Sequence, residues 1–247
     1  MVLEIRPDLS ENKVAVSPGL ETHFHLADNS IELVVIRLDV EPDAVRAFSE
    51  LLSPSEQERA CRFAFDRDRC RFIVARGKLR QLLGERLKVL PPSVDLVYGA
   101  HGKPALAPRC LAPDLRFNVS HSGNVAVYAF ALEREIGIDV EAIRLIRDAD
   151  DVAARFFSRR ENETYFALDE HDRPQGFFNC WTRKEAFIKA IGDGLYHPLE
   201  RFDVSLAPGE PAKIHRVEGM YGDDCNWTLH SFVPAPGFIG AVVVQKR

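Results

Sequence analysis

The sequence predicts an α+β fold built from two similar, duplicated α+β halves related by a pseudo-twofold axis. Three observations carry this. Short apolar runs with strand character alternate with longer runs of helical period. The order of these runs in the first half of the chain returns in the second, at offsets that drift only slightly. Two helix starts with the same capping signature, LLSPSEQERACRF and RFFSRRENETYF, lie 105 residues apart.

Taken in order, ELVVIRLDVE reads as a strand and residues 43–50 as a short helix. Ser53 then caps a second helix, with Pro54 at its first position and Glu56 completing a capping box. Residues 68–87 follow as a long amphipathic helix. PPSVDLVYG is a strand, HGKP a turn and NVAVYAFAL another strand. From Ile136 the order repeats: GIDVE, a short helix over residues 148–157, the Ser158 and Glu161 box, the helix around WTRKEAFIKAIG, FDVS opposite VDLV, and GFIGAVVV opposite GNVAVYAF. The expected organisation is a 1–30 N-terminal extension, a 31–132 first half and a 133–247 second half. His23 and His25 in the extension are expected in an ordinary strand.

Composition narrows the function. The chain has 247 residues, 46% of them hydrophobic, enough for one large core or two modest ones. No apolar stretch approaches the roughly 20 residues that span a bilayer, and MVLEIRPDLS has no signal pattern. Five cysteines without a CxxC fit reduced thiols, so a cytoplasmic protein with no membrane role is expected. A net charge of −5 argues against nucleic acid as a partner. Against that balance, the segment from Arg59 to Arg80 is strongly basic, which fits either a solvated helix face with ion pairs or a site for a compact polyanion. An internal duplication points to a monomer.

Asp39-Val40-Glu41 and Asp139-Val140-Glu141 each end an apolar run, and residues two apart on a strand share a face. Each tripeptide therefore offers a pair of carboxylates, and the two are expected at matching places in the halves. On the later helix, Glu185 and Lys189 share one face at the edge of the buried side. Asp139, Glu141 and Glu185 form an oxygen-only set of the kind Mg²⁺ uses together with substrate phosphates, which implies phosphoryl-type transfer. Ser120, His121 and Ser122 suit phosphate donors better than a nucleophile and base, because neighbours on a strand face opposite ways. Anchoring the two long helices at Gly84 and Gly192 puts Gly77 opposite Glu185 and Gln81 opposite Lys189. On that register the first half lacks the third carboxylate and the lysine, so Asp39 and Glu41 are expected to be structural remnants.

Taken together, GKP at 102–104, FNVSHSG at 117–123, IGIDVE at 136–141 and WTRKEAFIK at 181–189 resemble the signature set of the 4′-phosphopantetheinyl transferases of the Sfp class. The resemblance runs from about Leu51 to Leu206. It implies transfer of the phosphopantetheine arm of coenzyme A to a serine of an apo acyl or peptidyl carrier protein, with release of adenosine 3′,5′-bisphosphate. Carried onto matching positions, it makes Asp139, Glu141 and Glu185 the Mg²⁺ ligands and Glu185 also the general base. Lys189 then contacts the pyrophosphate, Arg71 reaches the 3′-phosphate and His121 binds phosphate, while Lys103 and Ser120 line the nucleotide side. The alternatives are a Mg²⁺-dependent phosphohydrolase and a catalytically inactive module that binds carrier proteins.

Overall fold

Capping boxes at Ser53 and Ser158 start equivalent helices, and around them the chain builds the same series of elements twice. The computed structural model describes residues 21–26, 31–99, 102–108, 114–192, 198–218 and 226–247. Residues 1–20 of the expected extension, and His101, Cys110, Leu195 and Cys225, lie outside them. In chain order the elements are β1 (Glu21–Leu26), β2 (Ile31–Arg37), α1 (Pro42–Ser49), α2 (Pro54–Cys61), α3 (Asp66–Leu87), β3 (Leu96–Tyr98), β4 (Pro104–Leu106), β5 (Leu115–Ser122) and β6 (Val125–Leu132). Then come β7 (Ile136–Ala142), α4 (Ala149–Phe156), α5 (Arg159–Ala167), α6 (Arg173–Ile191), β8 (Phe202–Val204), β9 (Ile214–Val217), β10 (Trp227–Phe232) and β11 (Phe238–Gln245). One strand, three helices and four strands thus occur from β2 to β6 and again from β7 to β11. Even the 3-10 turn after the long helix recurs, at Pro91–Ser93 and Leu199–Arg201. The stretch PPSVDLVYG, read as one strand, is therefore a turn followed by a short strand, since consecutive prolines cannot donate to a ladder.

The main sheets are β1-β2-β6-β5 and β10-β11-β7, all antiparallel. They face each other across a core that includes Leu33, Val35 and Val127 from one and Ile138, Val140 and Val242 from the other. Outside the first sheet, α3 packs on Val34, Ile36 and Tyr128. Outside the second, α6 packs on Ile239, Ala241 and Val243. The result is a helix, two sheets and a helix in layers, with apolar side chains on both faces of the central strands.

Strand register corrects one expectation. Arg37 pairs with Val125, the first residue of β6, and Ala142 pairs with Phe238, the first residue of β11. β2 and β7 therefore correspond 105 residues apart, which sets Val34 and Ile36, both buried against α3, opposite Asp139 and Glu141. Asp39 and Glu41 lie beyond the end of β2. The two DVE tripeptides are not equivalent, and the five-residue error also changes which face a side chain takes.

Helix ends correct another. Both long helices stop at a left-handed residue, Lys88 (φ 56°) and Gly192 (φ 83°). Gly84 lies inside α3, where its lack of a side chain lets the chain fold back: a Cβ there would come within 2.8 Å of the Val89 carbonyl. Matching the caps puts Gln81, not Gly77, opposite Glu185, and Glu85 opposite Lys189.

Each capping box is also part of a buried ion pair. Glu56 accepts from the Ser53 amide (2.9 Å) and from Arg80 Nε (2.5 Å), while Arg80 Nη1 donates to the carbonyls of Pro91, Pro92 and Val94 at 3.0–3.3 Å. Glu161 accepts from the Ser158 amide and from Lys184 Nζ, both at 2.7 Å, and that ammonium also donates to the carbonyls of Leu199 and Phe202 at 2.7 Å. All four charged side chains are buried. In each half this network ties the second helix, the long helix and the following turn into one unit, with every charge answered by hydrogen bonds.

Candidate active site

Two contacts decide where the chemistry-bearing residues meet. The first is the seat of α6 on β7. Gly137 has no side chain, and a Cβ there would lie 2.1 Å from the Ala186 carbonyl oxygen and 2.2 Å from the Ala190 amide nitrogen. Helix and strand backbones thus touch, and Asp139 and Glu141 on β7 come beside Glu185 and Lys189 on α6. The second is a joint between the sheets. Among the described residues β5 and β7 are edge strands, and no backbone ladder joins them. Side chains take its place: Asn118 Oδ1 accepts from the Ile138 amide (2.9 Å), Ser120 Oγ from Val140 (3.3 Å) and Ser122 Oγ from Ala142 (3.1 Å). Alternate residues of one strand serve alternate residues of the other, satisfying donors that would otherwise be buried unpaired.

Asp139, Glu141, Glu185, Lys189, Ser120 and His121 line a common cavity of about 350 Å³, with Trp181 in its wall. Lys189 Nζ lies 2.6 Å from Asp139 Oδ1 and 3.3 Å from Ser120 Oγ. The other oxygen of Asp139, Oδ2, is buried without a hydrogen-bond partner. Burial pushes the Glu185 carboxyl up to about 7, against the pull of Lys189 and with the help of Asp139 and Glu141. Burial also raises Glu141, partly offset by a 2.8 Å hydrogen bond from Ser122 Oγ. Three carboxylates thus share one small space with one ammonium, and their oxygens do not all lie within 4.8 Å of one another. An orphaned buried oxygen and a carboxyl whose pKa is pushed up are what such a set shows when it is short of positive charge. An oxygen-only set fits a hard divalent cation.

Next to this cavity is a basic one of about 650 Å³, lined by Arg59, Arg67, Arg71 and Arg76 with Phe63 and Phe72. Arg71 is held in place: its Nε and Nη2 donate to Asp39 Oδ1 (2.7 Å) and Oδ2 (2.9 Å). The Arg71 guanidinium keeps the Asp39 carboxyl below its ordinary range. Asp39, expected to be a remnant, is the residue that orients this arginine. Arg76 lies between the rings of Phe72 and Tyr98, 5.9 and 5.6 Å from their centroids, and its Nη1 is buried without a partner. His121 lines both cavities at their shared edge. Its side chain opens to solvent, yet the dense surroundings and the cations Lys189 and Arg76 push its pKa down, which favours the neutral imidazole.

The two remaining predicted residues are placed differently. Lys103 Nζ donates to the Lys189 carbonyl (2.5 Å), with the Ile136 carbonyl at 3.5 Å. It caps the end of α6 against β7 and lines neither cavity, because free carbonyls in a last helical turn attract a cation. Ser120 is committed to Asp139 and the Val140 amide. Three residues escaped the sequence reading in these roles: Asp39 as the partner of Arg71, Arg76 in the basic cavity and Ser122 on Glu141. Arg76 had a signal, since it falls within the basic run.

Comparison with known proteins identifies the family. Residues 135–242 match the family model described as the 4′-phosphopantetheinyl transferase superfamily, and residues 41–133 match that for the 4′-phosphopantetheinyl transferase N-terminal region. The chain is 38% identical over 219 residues to the 4′-phosphopantetheinyl transferase HetI of Nostoc, covering 89% of each chain. It is 33% identical to a putative 4′-phosphopantetheinyl transferase of Synechocystis, over 76% of this chain and 74% of the other. With the 4′-phosphopantetheinyl transferase Sfp of Bacillus subtilis it shares 32% identity, over 64% and 68%.

Proposed function

The chain belongs to the 4′-phosphopantetheinyl transferase superfamily and is an enzyme of that class, and on this premise we propose that it transfers the phosphopantetheine arm of coenzyme A to a serine of an apo acyl or peptidyl carrier protein. One observation supports this reading above the others: three carboxylates and one lysine adjoin a four-arginine cavity, with His121 at the edge between them. A nucleotide with a phosphate at one end and a pyrophosphate at the other matches that polarity.

In this reading Arg71 holds the 3′-phosphate as a fixed, charge-assisted donor. His121 and the Lys189 ammonium bind the pyrophosphate. Asp139, Glu141 and Glu185 hold Mg²⁺, which when bound neutralises charge on the pyrophosphate. Glu185 takes the proton from the carrier serine, acting as the carboxylate base beside the reacting phosphate. The serine oxygen forms a bond to the phosphorus on the pantetheine side. The bond to the other phosphate breaks, and its electron pair leaves on adenosine 3′,5′-bisphosphate. The enzyme works as a cytoplasmic monomer; among the described residues no helix is long and apolar enough to cross a membrane.

Coenzyme A labelled in the pantetheine arm, incubated with a panel of apo carrier proteins with and without chelator, tests the proposal. Label should pass to carrier protein, and chelator should abolish the transfer. Release of adenosine 3′,5′-bisphosphate without any acceptor would point instead to a phosphohydrolase. Carrier binding without turnover would point to an inactive module.

A further inference from the structure

The hydroxyls of Ser120 and Ser122 are already spoken for. A serine hydroxyl has one hydrogen to donate and two lone pairs to accept with. Ser120 Oγ donates to Asp139 Oδ1 (2.8 Å) and accepts from the Val140 amide (3.3 Å) and from Lys189 Nζ (3.3 Å). Its capacity is full. Ser122 Oγ donates to Glu141 Oε2 (2.8 Å) and accepts from the Ala142 amide (3.1 Å). Neither can donate to a phosphate without releasing a carboxylate in the acidic cavity, so the expected role as phosphate donors does not fit them.

Their placement suggests another. Both sit on β5 in the first half, while the carboxylates they hold are on β7 in the second. Each hydroxyl fixes a β7 amide and, through the same oxygen, the rotamer of the acid on the preceding residue: Val140 and Asp139 for Ser120, Ala142 and Glu141 for Ser122. Asn118 makes the same type of joint two residues earlier, to the Ile138 amide, and holds no carboxylate. The strand thus contains both the device and its own control.

Resting on the divalent-cation reading above, we propose that Ser122, together with Ser120, is a positioning residue that aims the β7 carboxylates at the metal, so that the joint between the halves also sets metal affinity. Partners that orient ligating carboxylates typically change metal affinity by roughly 10- to 100-fold when removed.

The test measures Mn²⁺ binding to the full chain by electron paramagnetic resonance, with and without coenzyme A, alongside the thermal midpoint. Ser122→Ala should weaken Mn²⁺ binding by roughly 10-fold or more, and Ser122→Thr, which keeps the hydroxyl, should restore most of it. Asn118→Ala should lower the midpoint at least as much while leaving Mn²⁺ affinity within about twofold, because its side chain serves the joint alone. Should Ser122→Ala fail to fold, Ser122→Cys preserves the volume with a weak donor and is expected to show the same loss. Native-like affinity in the hydroxyl-less variants, or affinity that simply follows the midpoint across all variants including Asn118→Ala, overturns the positioning role while leaving the metal reading intact. A native chain that binds no Mn²⁺ under either condition overturns both.

Discussion

At the scale of single residues, the pairing of Arg71 with Asp39 defines a graded prediction. Arg71→Ala should cost about 1.5 to 3 kcal/mol of coenzyme A binding, and far less with the 3′-dephospho form. Asp39→Asn should give a smaller loss with the same preference for the 3′-phosphorylated ligand, since it frees the guanidinium without removing it. Isothermal titration with both ligands checks this, and equal losses with both would assign the pair to the fold. Glu185 offers a second prediction. An acid whose pKa rises on folding, here from 4.5 to about 7, keeps its proton more firmly in the native state. Without a divalent cation, stability should therefore fall as pH climbs through that interval and stay reduced above it. Glu185→Gln should match the native protein near pH 4 and exceed it by about 2 kcal/mol at pH 8, a figure discounted for the partial exposure of the carboxylate. Urea unfolding at the two pH values measures the difference; one that does not change with pH counts against the raised pKa. Asp139, Glu141, Glu185 and Lys189 were legible because their residue types and spacing fit a chemistry. The Arg71–Asp39 and Ser122–Glu141 pairs were not, since each joins residues from separate elements, and no local pattern announces such a contact.

Among elements, the sequence revealed helix starts well and registers poorly. A capping box is a four-residue signal, so Ser53 with Glu56 and Ser158 with Glu161 were readable. That the same glutamates meet Arg80 and Lys184 depends on how the helices pack. Glycine proved a misleading anchor, because Gly84 serves a close backbone contact and Gly192 a left-handed cap, and one letter stands for both needs. The DVE tripeptides misled for a similar reason: strand equivalence is set by pairing partners, and three matching letters do not fix them. Two measurements probe the packing. Lys184→Met leaves Glu161 buried without its cation and should cost about 3 to 5 kcal/mol in denaturant unfolding. Gly137→Ala pushes α6 off β7, and about 1 to 3 kcal/mol of overpacking should come with a loss of activity larger than the loss of stability explains. Activity that stays native in Gly137→Ala would show that the site tolerates a looser seat.

For the molecule as a whole, the corrected registers explain why two like halves make one site. Val34, Ile36, Gln81 and Glu85 stand in the first half where Asp139, Glu141, Glu185 and Lys189 stand in the second. Two buried aliphatic side chains cannot bind a cation, so Mn²⁺ titration should give one site per chain. Asp139→Asn should remove it, and Asp39→Asn combined with Glu41→Gln should leave it; at saturating coenzyme A the double variant should also turn over within about threefold of native. A second Mn²⁺ site on the first half would contradict the assignment. The core between the sheets has a consequence for synthesis. The first sheet has all its strands once residue 132 is made, but its inner face, with Leu33, Val35 and Val127, waits for β7 and for β11. β11 is the last described element to leave the ribosome, and it carries Val242 and Val244 for that core and Ala241 and Val243 for the one under α6. A nascent chain halted before residue 238 therefore holds a finished sheet with an uncovered oily face, which makes it a natural client for chaperones and a ready target for quality-control proteases.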